Sequence, residues 1–197
     1  MRETNEAVSY LVHKGEMDAI NQTLLAKVLL AQLQGITVLP YGLGLSPNAY
    51  ANVLNACRLP ALVQLDQQWH SPQWQVFRAR AEVCKEIQKL RADEQTQLVK
   101  LLRHCANPSV CYASHIATVI ATACLGHAHL YVALGLESRH ELKQLFAHNF
   151  PSLCALNTNN MRWKRFLYLQ LCKSGGDYVC RAPSCNECSS KKECFVA

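Results

Sequence analysis

Four cysteines crowd the last eighteen residues in the order Cys180-x4-Cys185-x2-Cys188-x5-Cys194. The segment that carries them has too few apolar side chains for a core of its own. A breaker, Lys173-Ser174-Gly175-Gly176-Asp177, precedes it. A tail of that kind is ordered only by something that staples it. The chain therefore divides into a helical body, residues 1–173, and a cysteine-rich tail, residues 174–197.

Four thiolates converging within fifteen residues wrap a small object. A lone Zn²⁺ held by all four would order the tail. Zinc ribbons, however, pair two C-x2-C knuckles roughly 15–20 residues apart, and only one such pair is present in the tail. Spacers of four and five suit ligands spread around a cluster, and the first three cysteines match the C-x4-C-x2-C run of one iron–sulfur class. The spacing favours an iron–sulfur-type cluster on Cys180, Cys185, Cys188 and Cys194, with zinc as the alternative.

Three further residues are candidate accessory ligands. Cys172 lies eight residues before Cys180 at an expected helix end, where a half-buried packing thiol is the competing reading. His127 and His129 flank Ala128 after Gly126; such imidazoles assist metal transfer or serve as ordinary capping and surface residues. Cys57, Cys84, Cys105, Cys111, Cys124 and Cys154 fall within helical patterns, where a free thiol packs as a small hydrophobe.

Charge and hydropathy bound the rest. The net charge is +6, and residues 151–197 carry seven basic and three acidic side chains. Most of the excess therefore sits on the last quarter of the chain, where an anionic partner or cofactor is expected. A cluster on four thiolates is anionic, and Arg181, Lys191 and Lys192 flank its ligands. Half the residues are hydrophobic, which excludes a mostly disordered chain. The longest apolar run, Ile116 to Leu125, is ten residues, against about 18–20 for a membrane span. The amino terminus has no apolar stretch of the secretory kind, so a cytoplasmic protein is expected.

The body reads as all-α, a compact multi-helix domain of eight to ten short helices. Ser46-Pro47, Ser71-Pro72 and Asn107-Pro108 each place a capping oxygen before a proline suited to the first helical turn. Ser138-Arg139-His140-Glu141 has the form of a capping box, and Gly126 and Gly135 stand where helices end. Apolar spacing is helical in Leu24, Val28, Leu29 and Leu33, in Leu98, Leu101 and Leu102, and in Leu142, Leu145 and Phe146. Trp163, Phe166, Leu167 and Leu171 form another such face, with the basic residues turned to solvent or to the cluster. Residues 35–45 read as a loop. The basic and aromatic run Met161 to Phe166 has the composition of a nucleic-acid surface, but its helical spacing points to the core instead. No Ser-His-Asp arrangement or phosphate loop supports a catalyst.

Two families share features of this tail. The helical DNA glycosylases with a carboxy-terminal iron–sulfur loop resemble it in their cysteine run. Leu39-Pro40-Tyr41-Gly42-Leu43-Gly44 is similar to their DNA-binding hairpin. Tyr41 interrupts that hairpin, no lysine follows Gly44 as nucleophile, and the first cysteine spacer is short. The second resemblance covers more of the chain, from about Leu39 to the end. Gly42-Leu43-Gly44-Leu45-Ser46, Ala123-Cys124-Leu125-Gly126 with His129-Leu130, Leu134-Gly135-Leu136 and Ser138-Arg139 carry it. Phe150-Pro151, Asn160-Met161-Arg162-Trp163-Lys164 and Gln170-Leu171-Cys172 continue it, then Cys180, Ala182-Pro183-Ser184-Cys185, Cys188 and Cys194-Phe195. In order and spacing these are similar to the NifQ family of nitrogen-fixation proteins.

That resemblance implies a protein that carries a molybdenum–iron–sulfur cluster and donates molybdenum during assembly of the nitrogenase iron–molybdenum cofactor. It acts as a carrier and not as an enzyme. The implied partners are the nitrogenase iron protein and the cofactor scaffold complex, with no membrane and no nucleic acid. Tyr131-Val132-Ala133 stands where the family is expected to show Trp, Gln and an acidic residue, so no carboxylate role carries over there. Residues 1–35 bring no family motif. The alternatives are a glycosylase-like repair enzyme and a zinc-stabilised interaction module.

Overall fold

A computed structural model describes residues 15–59 and 72–175. The four tail cysteines and Ser71 lie outside them. Among the described residues there are nine α-helices, one 3-10 turn and no strand. The helices are α1 (Ala19–Leu33), α2 (Pro47–Ala56), α3 (Pro72–Leu90), α4 (Ala92–His104), α5 (Ala113–Cys124), α6 (Leu130–Leu134), α7 (Arg139–Asn149), α8 (Pro151–Leu156) and α9 (Trp163–Gly175). The all-α expectation holds for this body.

The centre of the body is α5. Its sequence, ASHIATVIATAC, is mostly apolar, and Ile116 through Cys124 are all buried. A helix buried along most of its length belongs inside a core, which accounts for the longest apolar run of the chain. Its β-branched residues are mediocre helix formers, so packing against α4, α6 and the 3-10 turn holds it. Its two deep hydroxyls are satisfied locally: Thr122 donates to the Thr118 carbonyl at 2.8 Å and Thr118 to that of Ser114 at 3.4 Å.

Helix starts follow the sequence in part. Ser46 Oγ accepts from Ala49 N at 3.3 Å at the start of α2. Ser138 Oγ accepts from Glu141 N, but the Glu141 carboxylate takes the amide of Glu137 rather than that of Ser138. At Asn107-Pro108 no helix begins. Asn107 Oδ1 instead accepts from Ser109 N at 3.1 Å, while its own amide donates to the Asn149 carbonyl at 2.8 Å. The chain then turns through Tyr112 at φ 69° before α5. That asparagine serves a tertiary contact, which outweighs its capping preference. The last helix passes Cys172 and runs to Gly175, beyond the expected end of the body.

Residues 35–45 form a loop that contains the 3-10 turn Tyr41–Gly44. Three successive residues, Gly42, Leu43 and Gly44, have positive φ. Leu43 is fully buried, and its packing offsets the cost of that backbone. At Gly44 a side chain would collide with Thr122, whose Oγ1 stands 2.1 Å from the place of a Cβ. Far along the chain, Asn21 and Asn149 exchange two amide bonds of 2.9 and 2.7 Å in the core, fastening α1 to α7.

Candidate functional site

Of the sequence-derived site residues, Cys172, His127 and His129 are described. Cys172 is half-buried in the last part of α9. His127 is exposed between α5 and α6. His129 is exposed at the start of α6, where the guanidinium of Arg162 lies 3.3 Å from its Nε2. Arg162 opens α9 by accepting from Phe166 N, and ten residues of helix rise, about 15 Å, separate it from Cys172. The histidine and the cysteine thus stand at opposite ends of one helix and do not form a joint site.

No group of three or more His, Cys, Asp or Glu side chains among the described residues is placed to hold a metal ion. Cys57, Cys84, Cys105, Cys111, Cys124 and Cys154 form no disulfide among the described residues. Burial pushes Cys124 up to about 12 and Cys57 up to about 11, and it raises Cys84 and Cys154 as well. Metal ligation needs the thiolate. Burial therefore disfavours, at all four, the thiolate form that ligates a metal.

The best organised polar cluster is one that sequence reasoning missed. The last carbonyls of a helix lack intrahelical partners, and at the end of α5 two cations supply them. Arg91 donates to the Leu125 carbonyl and Lys164 to that of Gly126. Both charges also suit the negative end of the helix dipole. Tyr168 donates to Glu94 and lies 3.2 Å from the Cys124 carbonyl, while Arg91 closes the ring onto Glu94 at 2.5 Å. Burial depresses the Lys164 ammonium below its ordinary range and, with the neighbouring Cys124 and Glu94, raises the Tyr168 phenol. Lys164 turns inward and not to solvent, which corrects the expectation for that segment. Its aromatic neighbours do enter the core: Trp163 stacks on Phe146 at 3.8 Å and Phe166 is buried.

The hairpin-like stretch Leu39–Gly44 is also committed inward. Leu39, Gly42 and Leu43 are buried, and the amides of Leu43 and Leu45 donate to the carbonyls of Pro40 and Gly42. Those two amides are therefore not free to meet a DNA phosphate.

The class so defined is an all-helical body followed by a four-cysteine tail. The chain matches the NifQ family over residues 24–196, from within α1 to past the last tail cysteine. It is 36% identical to Protein NifQ of Azotobacter vinelandii over 198 residues, covering 96% of this chain and 98% of that protein. Protein NifQ of Klebsiella pneumoniae is 38% identical over 117 residues, 59% of this chain and 68% of that one. A NifQ homolog of Sinorhizobium fredii is 48% identical over 79 residues, 40% and 34% of the two chains. No solved structure matches. The chain belongs to the NifQ family, a family of nitrogen fixation. No helix among the described residues is long and apolar enough to cross a membrane.

Proposed function

We propose that this protein is a cytoplasmic carrier that holds an iron–sulfur core bearing molybdenum and donates the molybdenum during assembly of the nitrogenase iron–molybdenum cofactor. It is a donor and not an enzyme, and it hands over to the nitrogenase iron protein and the cofactor scaffold complex. One observation carries the reading: the four-cysteine run lies inside the stretch over which the chain matches the NifQ family.

The donor set fits the cargo. Thiolates suit iron and sulfide-bridged molybdenum, whereas free molybdate is a hard oxyanion that they hold poorly. Cys180, Cys185, Cys188 and Cys194 hold the cluster as a set, and the basic side chains Arg181, Lys191 and Lys192 beside them offset its negative charge. A carrier must also release, and ligands gathered on one short tail can let go without opening the body's core.

Purification without oxygen, followed by assay of iron, molybdenum, zinc and sulfide per chain, tests the proposal. Iron and sulfide with molybdenum support it, and Cys188→Ser should abolish loading of both metals. Stoichiometric zinc without a chromophore would sink it and favour a zinc-stapled interaction module. Molybdenum transfer from the loaded protein to the scaffold complex is the second step, and His129→Ala should slow transfer without changing the fold if that imidazole assists it.

A further inference from the structure

A cleft of about 620 Å³ opens between α4 and α5, with Gly44 of the 3-10 turn at its edge. Among the described residues its ionisable lining is basic: Lys100, Arg103 and His104. Spaced at i, i+3 and i+4, they share one face of α4, all three exposed. Four residues of helix rise put them within about 6 Å of one another along the axis. The favourable dipole at a helix end accounts for Arg103 and His104 in the last turn. It does not account for Lys100 or for the cavity in front of them.

The neutral polar groups of the cleft are already engaged. Gln95 donates to Thr122 Oγ1 at 2.7 Å and accepts from Gln88 at 3.2 Å. Thr96 donates to the Ala92 carbonyl at 2.8 Å, and Thr118 accepts from Arg103 Nη2 at 3.4 Å. That last bond lays the guanidinium against the cleft wall. Lys100 and His104 make no hydrogen bond or ion pair among the described residues. The acids of α4, Asp93 and Glu94, stand in its first turn, with Glu94 held by Arg91. The positive field reaches α5, where burial and the charge of Arg103 lower the basicity of His115.

We propose that this cleft binds a compact, fully deprotonated tetrahedral oxyanion, the chemistry shared by molybdate and sulfate. Two cations, Lys100 and Arg103, on one helix face match a small dianion better than an extended polyanion, whose charges are spread further apart. Hydrogenphosphate is a poorer match because its proton needs an acceptor, and no carboxylate among the described residues lines the cleft. The opening is wide enough for the anion to keep part of its water shell, which makes binding reversible and sensitive to salt. That molybdate is the occupant in the cell rests on the donor reading above; the cleft as an oxyanion site does not.

The test is equilibrium dialysis of molybdate, sulfate and phosphate against the full chain. It is repeated with Cys180, Cys185, Cys188 and Cys194 all changed to Ser, so that no tail cluster can hold metal. Both proteins should bind one equivalent of molybdate or sulfate with equal affinity, and phosphate at least tenfold more weakly. Lys100→Ala with Arg103→Ala should weaken binding at least tenfold at an unchanged circular dichroism spectrum, while Lys100→Arg should retain it. Absence of saturable binding, undiminished binding in the double alanine variant, parity with phosphate, or binding that vanishes with the tail cysteines would each overturn the proposal. A preference for sulfate over molybdate keeps the site and separates it from the donor reading. Intact cleft binding in a protein that transfers no molybdenum counts against the donor reading alone.

Discussion

Cys124 and Lys164 show how one helix end sets the chemistry of its neighbours. Cys124 is fully buried at the end of α5, so the fold favours its neutral thiol, and its pKa rises from 9.0 to about 12. A raised folded-state value means that the stabilising contribution is complete below the unfolded value and is lost as pH climbs towards the folded one. Urea stability measured between pH 8 and 10.5 should therefore fall with pH, and Cys124→Ala should flatten that fall. Parallel curves for the two proteins would show that the thiol does not feel this environment. The same protonation makes Cys124 and Cys57 slow to alkylate at pH 8, so in the native protein both should stay unlabelled until urea is added, a result mass spectrometry of the labelled chain reads directly.

At the scale of elements, the 3-10 turn is the most demanding connection in the body. Gly42 and Gly44 both have positive φ, but only Gly44 is also pressed against a side chain, that of Thr122. Gly42→Ala meets nothing within 4 Å and should cost about 1–2 kcal/mol from backbone conformation alone. Gly44→Ala adds a collision with α5, and its loss in urea unfolding should exceed that of Gly42→Ala by at least about 1 kcal/mol. Equal losses would mean that the turn shifts freely off α5. The helices themselves are legible from sequence: the Ser46 and Ser138 caps, the Gly135 stop at φ 74° and the apolar faces of α1, α4 and α7 all follow local rules. What escapes is set by distant partners. Gly126 looks like a helix stop, yet it is needed because Val38 approaches to 2.6 Å of where its Cβ would be. Arg91 and Glu94 are an i,i+3 pair, but Tyr168 stands 74 residues from Glu94 in the chain, and no local pattern announces that it joins them.

Across the described body, α1 is fastened to α7 by a buried pair of side chains. Asn21 and Asn149 are 128 residues apart and satisfy each other in a site without water access. Asn149→Ala leaves the Asn21 amide buried and short of its partner, at a cost of about 2–3 kcal/mol. Replacing both with Leu should cost less than the two single replacements combined, a coupling of about 0.5–3 kcal/mol that a double-mutant cycle in urea measures. Additive losses would mean that the pair is not a unit.

Closure of this kind also governs how the tail relates to the body. Among the described residues the hydrophobic core from Leu24 to Tyr168 is already continuous, and a body with a core of that size should not need a metal to fold in the way a zinc finger does. The full chain with Cys180, Cys185, Cys188 and Cys194 changed to Ser should keep its helical circular dichroism, and its unfolding free energy in urea should stay within about 0.5 kcal/mol of the parent. Its iron and molybdenum contents should drop to background in the same preparation. Loss of helicity along with the metals would make the cluster part of the folding unit. A carrier could then not release its cargo without unfolding, and the division into a self-sufficient body and a loading tail would have to be abandoned.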